Sequence, residues 1–258
     1  MQRQAEMGQG MRPLIAGNWK MNGTGDSLAE VTAVARWMSE AAPRADVLVC
    51  PPFTLIARAT ALAAGRIAIG GQDCSPQSSG AFTGDVSAAM LKDAGASAAI
   101  VGHSERRRYH GETDSLVGAK AKAAWRAGLL AVICFGETQD ERDAGRAEDV
   151  VRAQIAGSIP VDMDSSNAAV AYEPVWAIGT GCTPTDDEIA GMHALIRGCL
   201  TARFGDTGAQ MRILYGGSVK PANAGGILAL PNVNGVLVGG ASLIADEFLA
   251  IIGSAPAL

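Results

Sequence analysis

The chain has 258 residues, of which 48% are apolar and 18% are charged, and its net charge is −5. This composition excludes a disordered chain, which would carry more charge and fewer apolar residues. The acidic balance argues against a nucleic-acid partner, because a nucleic-acid groove needs a dense basic surface. The 32 glycines follow no triplet period, so a collagen-like helix is also excluded.

Residues 1–10 are polar, without the apolar stretch of a signal peptide, and no window of about 18 residues is continuously apolar. We therefore expect no membrane partner, a disordered polar tail over residues 1–10 and a single domain over residues 11–258. The five cysteines are odd in number, widely spaced and without a C-x-x-C pair. This pattern favours reduced thiols in a cytoplasmic protein over disulfides or a metal site.

Eight short runs of Val, Ile, Leu and Ala are apolar on both alternating faces, which is typical of buried parallel strands. They cover Pro13 to Ala16, Val47 to Cys50, Ile67 to Ile69, Ala98 to Val101, Leu129 to Cys134, Ala168 to Tyr172, Ile213 to Tyr215 and Val236 to Val238. Stretches with helical spacing separate most of them, and a capping box from Thr185 to Glu188 predicts a helix start. Eight such repeats predict an α/β fold, a closed (β/α)8 barrel, with an open doubly wound sheet as the alternative.

Three polar residues follow the first and fourth predicted strands, where a barrel carries its chemistry. Asn18 and Lys20 lie in GNWKMN, and Lys20 is either a solvated surface cation or a fixed positive charge for an anionic substrate. His103 precedes a predicted helix whose positive end disfavours imidazolium, so we expect a neutral imidazole that donates to a carbonyl. The alternative is that His103 and the adjacent Ser104 belong to a hydrolase site. The absence of a G-x-S-x-G motif in the chain argues against it.

Glu173 ends the sixth run. Its apolar neighbours should desolvate the carboxylate, raise its pKa and make it a better base. The alternative is that Glu173 is a carboxylate at the barrel rim that forms a salt bridge. The apolar stretch from Val175 to Ile178 follows in a loop. It is either a mobile lid that excludes water or a loop packed permanently on the barrel rim.

Glycine pairs follow the last two predicted strands, Gly216–Gly217 in YGGSV and Gly239–Gly240 in VGGAS. Backbone N–H groups at such positions bind phosphate, and barrels often place a phosphate site after strands seven and eight. Neither segment is a Walker A loop, because no G-K-[ST] follows. The loop from Gln72 to Gly84 is longer than ordinary α/β connections, and it is either disordered or a protrusion into a partner subunit.

The segments GNWKMN, VGHSERR, AYEPVWAIGTG, YGGSV and VGGASL occur in this order, and the chain closely resembles the triosephosphate isomerase family from about Met11 onward. The resemblance implies a TIM barrel that interconverts dihydroxyacetone phosphate and glyceraldehyde 3-phosphate through an enediolate, in glycolysis and gluconeogenesis. This family is itself a well-known example of tuned carboxylate and imidazole chemistry. No metal or organic cofactor is implied, and the usual state is a homodimer whose long loop inserts near the partner's active site.

The resemblance also assigns roles to residues. Glu173 would be the base, His103 the neutral electrophile and Lys20 the electrostatic stabiliser, while Asn18 would hold substrate oxygens and Glu105 would support the site from beside Lys20. The backbone N–H groups expected to hold the phosphate are those of Gly179, Ser218, Gly239 and Gly240. Cys182 stands at the lid's C-terminal hinge, where many members of the family carry Lys.

Two other functions are compatible with parts of this pattern. A different phosphate-binding barrel enzyme would keep the glycine-rich end and change the acid–base residues. A metabolite sensor without catalytic activity would have lost some of the reactive residues. The joint presence of Glu173, His103 and Lys20 favours the isomerase over both.

Overall fold

Eight parallel strands pair in chain order and close into a barrel in the computed structural model, which describes residues 11–41, 43–178 and 183–256. The strands are β1 Leu14–Asn18, β2 Asp46–Cys50, β3 Ala68–Gly71, β4 Ala98–Val101, β5 Leu130–Phe135, β6 Ala168–Tyr172, β7 Arg212–Tyr215 and β8 Gly235–Val238. All eight predicted strands are confirmed. Because β1 pairs with both β2 and β8, the barrel is closed and the open-sheet alternative is wrong.

Helices surround this barrel. They are α1 Leu28–Ala41, α2 Ile56–Ala63, α3 Ala88–Asp93, α4 Ser104–His110, α5 Asp114–Arg126, α6 Gln139–Asp143, α7 Ala147–Ser158, α8 Asp186–Phe204, α9 Asp206–Gln210, α10 Pro221–Leu228 and α11 Ala245–Gly253. The predicted capping box is present at the start of α8, where the Thr185 N–H donates to a Glu188 carboxylate oxygen at 2.8 Å. None of the described helices is both long and apolar enough to cross a bilayer.

The strands separate two apolar cores, as alternation of side chains along a strand requires. One core lies between the barrel and its helices. The other fills the barrel interior and consists of Leu14, Ala16, Leu48, Cys50, Ala98, Ile100, Val132, Cys134, Ala171, Leu214 and Leu237. The same period of two places Asn18, beyond Ala16, and Glu173, beyond Ala171, above the interior core at the barrel mouth.

Candidate active site

A cleft of about 680 Å³ opens at the carboxyl ends of the strands, where the sequence predicts chemistry. The predicted site residues that line it are Asn18, Lys20, His103, Glu173, Ser218, Gly239 and Gly240. Glu105 lies beside this cleft, with its Oε1 2.7 Å from the Lys20 Nζ. Gly179 and Cys182, like the predicted tail at residues 1–10, lie outside the described residues.

The Glu173 carboxylate is only 1% exposed and has two polar partners. Its Oε1 lies 2.8 Å from the His103 Nε2. Its Oε2 accepts a hydrogen bond from the backbone N–H of Ser104 at 2.9 Å. Both partners come from the segment that begins α4, so the end of β6 is joined directly to the loop after β4. A buried carboxylate with such partners is held in its ionised form.

His103 occupies the N-cap position of α4, and the cap orients its ring. The Nδ1 atom accepts the backbone N–H of Glu105 at 3.2 Å. Because an acceptor nitrogen carries no proton, this pattern assigns the ring proton of the neutral form to Nε2. The nitrogen that bears the proton is therefore the one that faces Glu173 and the cleft.

The pKa directions of this pair differ from those that the sequence predicts. Burial raises the pKa of Glu173, but attraction to His103 and hydrogen bonds from His103 and Ser104 more than offset it, so the pKa lies below its usual value. Burial lowers the pKa of His103, but the Glu173 carboxylate more than offsets it, so the pKa is raised. Both predicted pKa directions are therefore wrong, because they included burial and the helix end but not this contact.

Lys20 holds its side chain over the cleft from a left-handed backbone conformation, with φ at +54°. Few non-glycine residues adopt this conformation, and the strain costs on the order of 1 kcal/mol. The Lys20 N–H donates to Asn18 Oδ1 at 3.0 Å, and the Lys20 carbonyl accepts from Gln72 Nε2 at 2.8 Å. Gln72 also donates to the Cys50 carbonyl at 2.9 Å. The strained turn is thus fixed by two side-chain amides.

Three backbone N–H groups without a protein acceptor belong to residues that line the same cleft as Lys20. Among the described residues, the N–H groups of Ser218, Gly239 and Gly240 have no hydrogen-bond acceptor in the protein. The Trp19 Nε1 donates to the Ser242 carbonyl at 3.0 Å and so ties the loop after β8 to the loop after β1. Unpaired N–H groups beside a lysine form a site for an anion.

Glu137 is a buried polar residue that sequence reasoning missed. Its Oε1 accepts from the Tyr172 hydroxyl at 3.0 Å and from the Trp176 Nε1 at 2.9 Å. The Arg142 guanidinium lies 4.7 Å from the centre of the Trp176 ring and also pairs with Glu188. These contacts connect the end of β5 to the segment after Glu173. The available signal was the position of Glu137, two residues beyond a buried strand.

Gly216 has a second role, which its predicted place in a phosphate-binding loop does not indicate. A Cβ atom on Gly216 would lie 2.9 Å from the Glu173 Cγ and 3.1 Å from the Tyr172 carbonyl oxygen. The absence of a side chain at this position therefore makes room for the Glu173 side chain.

This arrangement at the mouth of an eight-stranded barrel is typical of phosphate-binding TIM-barrel enzymes that transfer protons. The described residues contain no group of three or more His, Cys, Asp or Glu side chains that could hold a metal ion.

The profile of the triosephosphate isomerase family matches residues 13–255. The triosephosphate isomerase of Afipia carboxidovorans is 60% identical over 247 residues, which cover 95% of this chain and 98% of that protein. That of Bradyrhizobium diazoefficiens is 57% identical over 251 residues, covering 97% of this chain and all of that protein. The crystal structure of triosephosphate isomerase from Bartonella henselae has a TM-score of 0.89 at 49% identity, covering 95% and 99% of the two chains.

The chain therefore belongs to the triosephosphate isomerase family. It interconverts dihydroxyacetone phosphate and glyceraldehyde 3-phosphate, a step of glycolysis. Family membership decides against the alternative of a phosphate-binding barrel enzyme with other chemistry.

Replacing Gly216 with alanine should displace Glu173, because the added Cβ meets its Cγ at 2.9 Å. We expect Gly216→Ala to lower kcat by at least about tenfold, since small misplacements of a reacting group are costly. The matched control is Gly198→Ala in α8, where an added Cβ has open space. That control should keep wild-type kcat, and its free energy of unfolding should rise by up to about 1 kcal/mol because alanine favours the helix more than glycine does. Equal kcat values for the two variants would contradict the account.

Proposed function

We propose that Glu173 is the base of the isomerisation and that His103 and Lys20 stabilise the charge that develops on the substrate oxygens. The observation that carries this proposal is the 2.8 Å contact between Glu173 and His103 inside the cleft that Lys20 also lines. A base must lie within hydrogen-bond reach of the proton that it removes, and a substrate bound between these groups meets that condition.

In this mechanism Glu173 removes a proton from a carbon of the triose phosphate and returns it to the neighbouring carbon. The negative charge passes to the adjacent oxygens, which gives an enediolate. The His103 Nε2–H and the Lys20 ammonium donate to those oxygens, and Asn18 helps to hold them. Donors aimed at developing charge in a buried site are among the largest contributions to catalysis.

Substrate entry would reverse the pKa shifts of Glu173 and His103. The contact with His103 is what lowers the pKa of Glu173, and the Glu173 carboxylate is what raises the pKa of His103. A substrate between them weakens both effects and leaves burial as the largest influence. Burial then makes Glu173 a stronger base and keeps His103 a neutral donor.

The phosphate group would bind to the unpaired N–H groups of Ser218, Gly239 and Gly240, together with Gly179. The segment from Val175 to Ile178 would be the start of a lid that closes over the enediolate and excludes water. Its last residue, Ile178, lines the cleft beside Glu173, which supports this role. Glu105 would hold the Lys20 ammonium in place through their 2.7 Å contact.

Glu173→Gln keeps the size of the side chain and removes its basicity. We expect kcat to fall by roughly 10²–10⁴, the usual contribution of a general base, while circular dichroism and the melting temperature show an intact fold. The control is Glu148→Gln, which changes an exposed carboxylate on α7 and should leave kcat unchanged. A coupled assay on glyceraldehyde 3-phosphate measures both. Near-normal turnover of Glu173→Gln would mean that another group is the base.

The loop from Gln72 to Gly84 would join two copies of the chain in a homodimer. Its base is anchored, because the Ser75 N–H donates to the Val86 carbonyl at 2.8 Å and Gln72 holds the Lys20 carbonyl. Residues 77–85 are exposed, including the apolar Phe82 at 46% exposure. An apolar side chain on a protruding, anchored loop supports burial in a partner, and this anchor would connect the interface to Lys20.

The dimer proposal predicts the effect of a charge at the loop tip. Phe82→Asp should weaken dimerisation, because the carboxylate would be buried without a partner. Val161→Asp is the matched control, since it places the same charge at an exposed apolar residue before β6. Sedimentation velocity over a dilution series should show dissociation of the Phe82 variant only. An unchanged dimer in Phe82→Asp would contradict this interface.

We also infer a cytoplasmic location. The described cysteines Cys50, Cys74, Cys134 and Cys199 are free thiols, and the first three are buried. Burial raises the pKa of the Cys74 thiol to about 12 and thereby lowers its reactivity. Free thiols of this kind are usual in a reducing compartment.

A further inference from the structure

Strands β4 and β5 separate directly behind Glu173. Their pairing ends at Val101 and Ile133, whereas β5 continues to Phe135. Beyond that point the backbone of β5 still pairs with the β6 side, because the Phe135 carbonyl accepts the Glu173 N–H at 2.8 Å. The backbone N–H and carbonyl groups of Gly136 point to the β4 side of β5, where β4 has already ended and cannot pair with them.

A side chain of helix α7 pairs with these backbone groups. The Gln154 Oε1 accepts the Gly136 N–H at 2.8 Å, and the Gln154 Nε2 donates to the Gly136 carbonyl at 3.2 Å. The amide of Gln154 therefore offers one acceptor and one donor, as a neighbouring strand would do. Arg107 also takes the place of a neighbouring strand, two residues earlier in β5. Its Nη2 donates to the Cys134 carbonyl at 3.1 Å.

The Gly136 backbone lies directly against the backbone of Glu173. A Cβ atom on Gly136 would overlap the carbonyl oxygen of Glu173, so the two backbones pack together with no room for a side chain between them. The next residue, Glu137, accepts the Val175 N–H at 3.1 Å through its carbonyl. A shift of Gly136 would therefore be transmitted to the residue that carries the base.

We propose that Gln154 is a positioning residue for the isomerisation, which holds the peptide of Glu173 in register through its two hydrogen bonds to Gly136. This inference rests on the proposed role of Glu173 as the base. Gln154 is not among the residues that line the cleft, so it would act through Gly136 and Glu173. Without it, the Gly136 peptide has two unpaired polar groups and moves toward water, and Glu173 loses its fixed distance to the substrate carbon.

The position of Gln154 predicts which kinetic constant changes. The N–H groups proposed to bind the phosphate, on Ser218, Gly239 and Gly240, follow β7 and β8, whereas Gly136 follows β5. Loss of Gln154 should therefore slow proton transfer and leave substrate binding nearly unchanged. When product release limits the rate, the primary deuterium isotope effect on proton transfer is hidden in kcat. A slower proton transfer becomes rate-limiting and so raises the observed isotope effect.

The test compares two substitutions of Gln154 with one control. Gln154→Met has similar length but no donor or acceptor, and Gln154→Glu can accept the Gly136 N–H but cannot donate to its carbonyl. We expect Gln154→Met to lower kcat about tenfold, with KM near wild type and a larger isotope effect on dihydroxyacetone phosphate deuterated at C1. Gln154→Glu should lie between the wild type and Gln154→Met. Gln139→Met, at an exposed glutamine on α6, should leave all three quantities unchanged.

Two results would overturn this proposal. In the first, Gln154→Met has a lower melting temperature, but its kcat and isotope effect equal those of the wild type. Gln154 would then have a structural role only. The second is a raised KM with unchanged kcat, which would move its action to substrate binding. Glu173→Gln, assayed in parallel, keeps the two proposals separate. Full turnover of that variant would refute the role of Glu173 itself, whereas inactivity of Glu173→Gln with a fully active Gln154→Met would refute only the role of Gln154.

Discussion

The contact between the Glu173 carboxylate and the His103 imidazole sets the direction in which the pKa of each group is shifted. The two groups are 2.8 Å apart and largely removed from water, so each strongly affects the ionisation of the other. Their attraction favours the charged forms that burial opposes. In the proposed mechanism a neutral ring and a stronger base suit proton transfer better, so a substrate would break this contact before proton transfer. The surrounding structure therefore has to hold both groups firmly and still admit a substrate between them.

Backbone groups position both His103 and Glu173. The N-cap interaction with Glu105 fixes the His103 ring, and the bare backbones of Gly136 and Gly216 allow Glu173 to pack closely. The phosphate is expected at separate backbone N–H groups, so its binding does not compete with this pair. The attraction for the anion is local. A chain with a net charge of −5 can thus bind a phosphate, because Lys20 and unpaired N–H groups face the cleft.

Much of this arrangement could be predicted from the sequence, since it depends on local patterns. Apolar runs predict the strands, and the period of two places Asn18 and Glu173 at the barrel mouth. The pKa directions could not be predicted, because they depend on a contact between residues 70 positions apart in the chain. The hydrogen bonds that Trp176 donates to Glu137 and that the Gly136 N–H donates to Gln154 could not be predicted for the same reason. Their residue types have many ordinary surface roles, and only the folded chain brings these partners together.

A substrate that separates Glu173 from His103 should reverse their pKa shifts. Titration of the His103 ring by ¹⁵N NMR, in the free enzyme and with saturating glycerol 3-phosphate, measures this most directly. That ligand carries the phosphate and unreactive hydroxyl groups, and it adds no second charged group beside the ring. We expect the pKa of His103 to lie above the usual histidine value in the free enzyme and to fall in the complex. A pKa that stays constant or rises on binding would contradict the account.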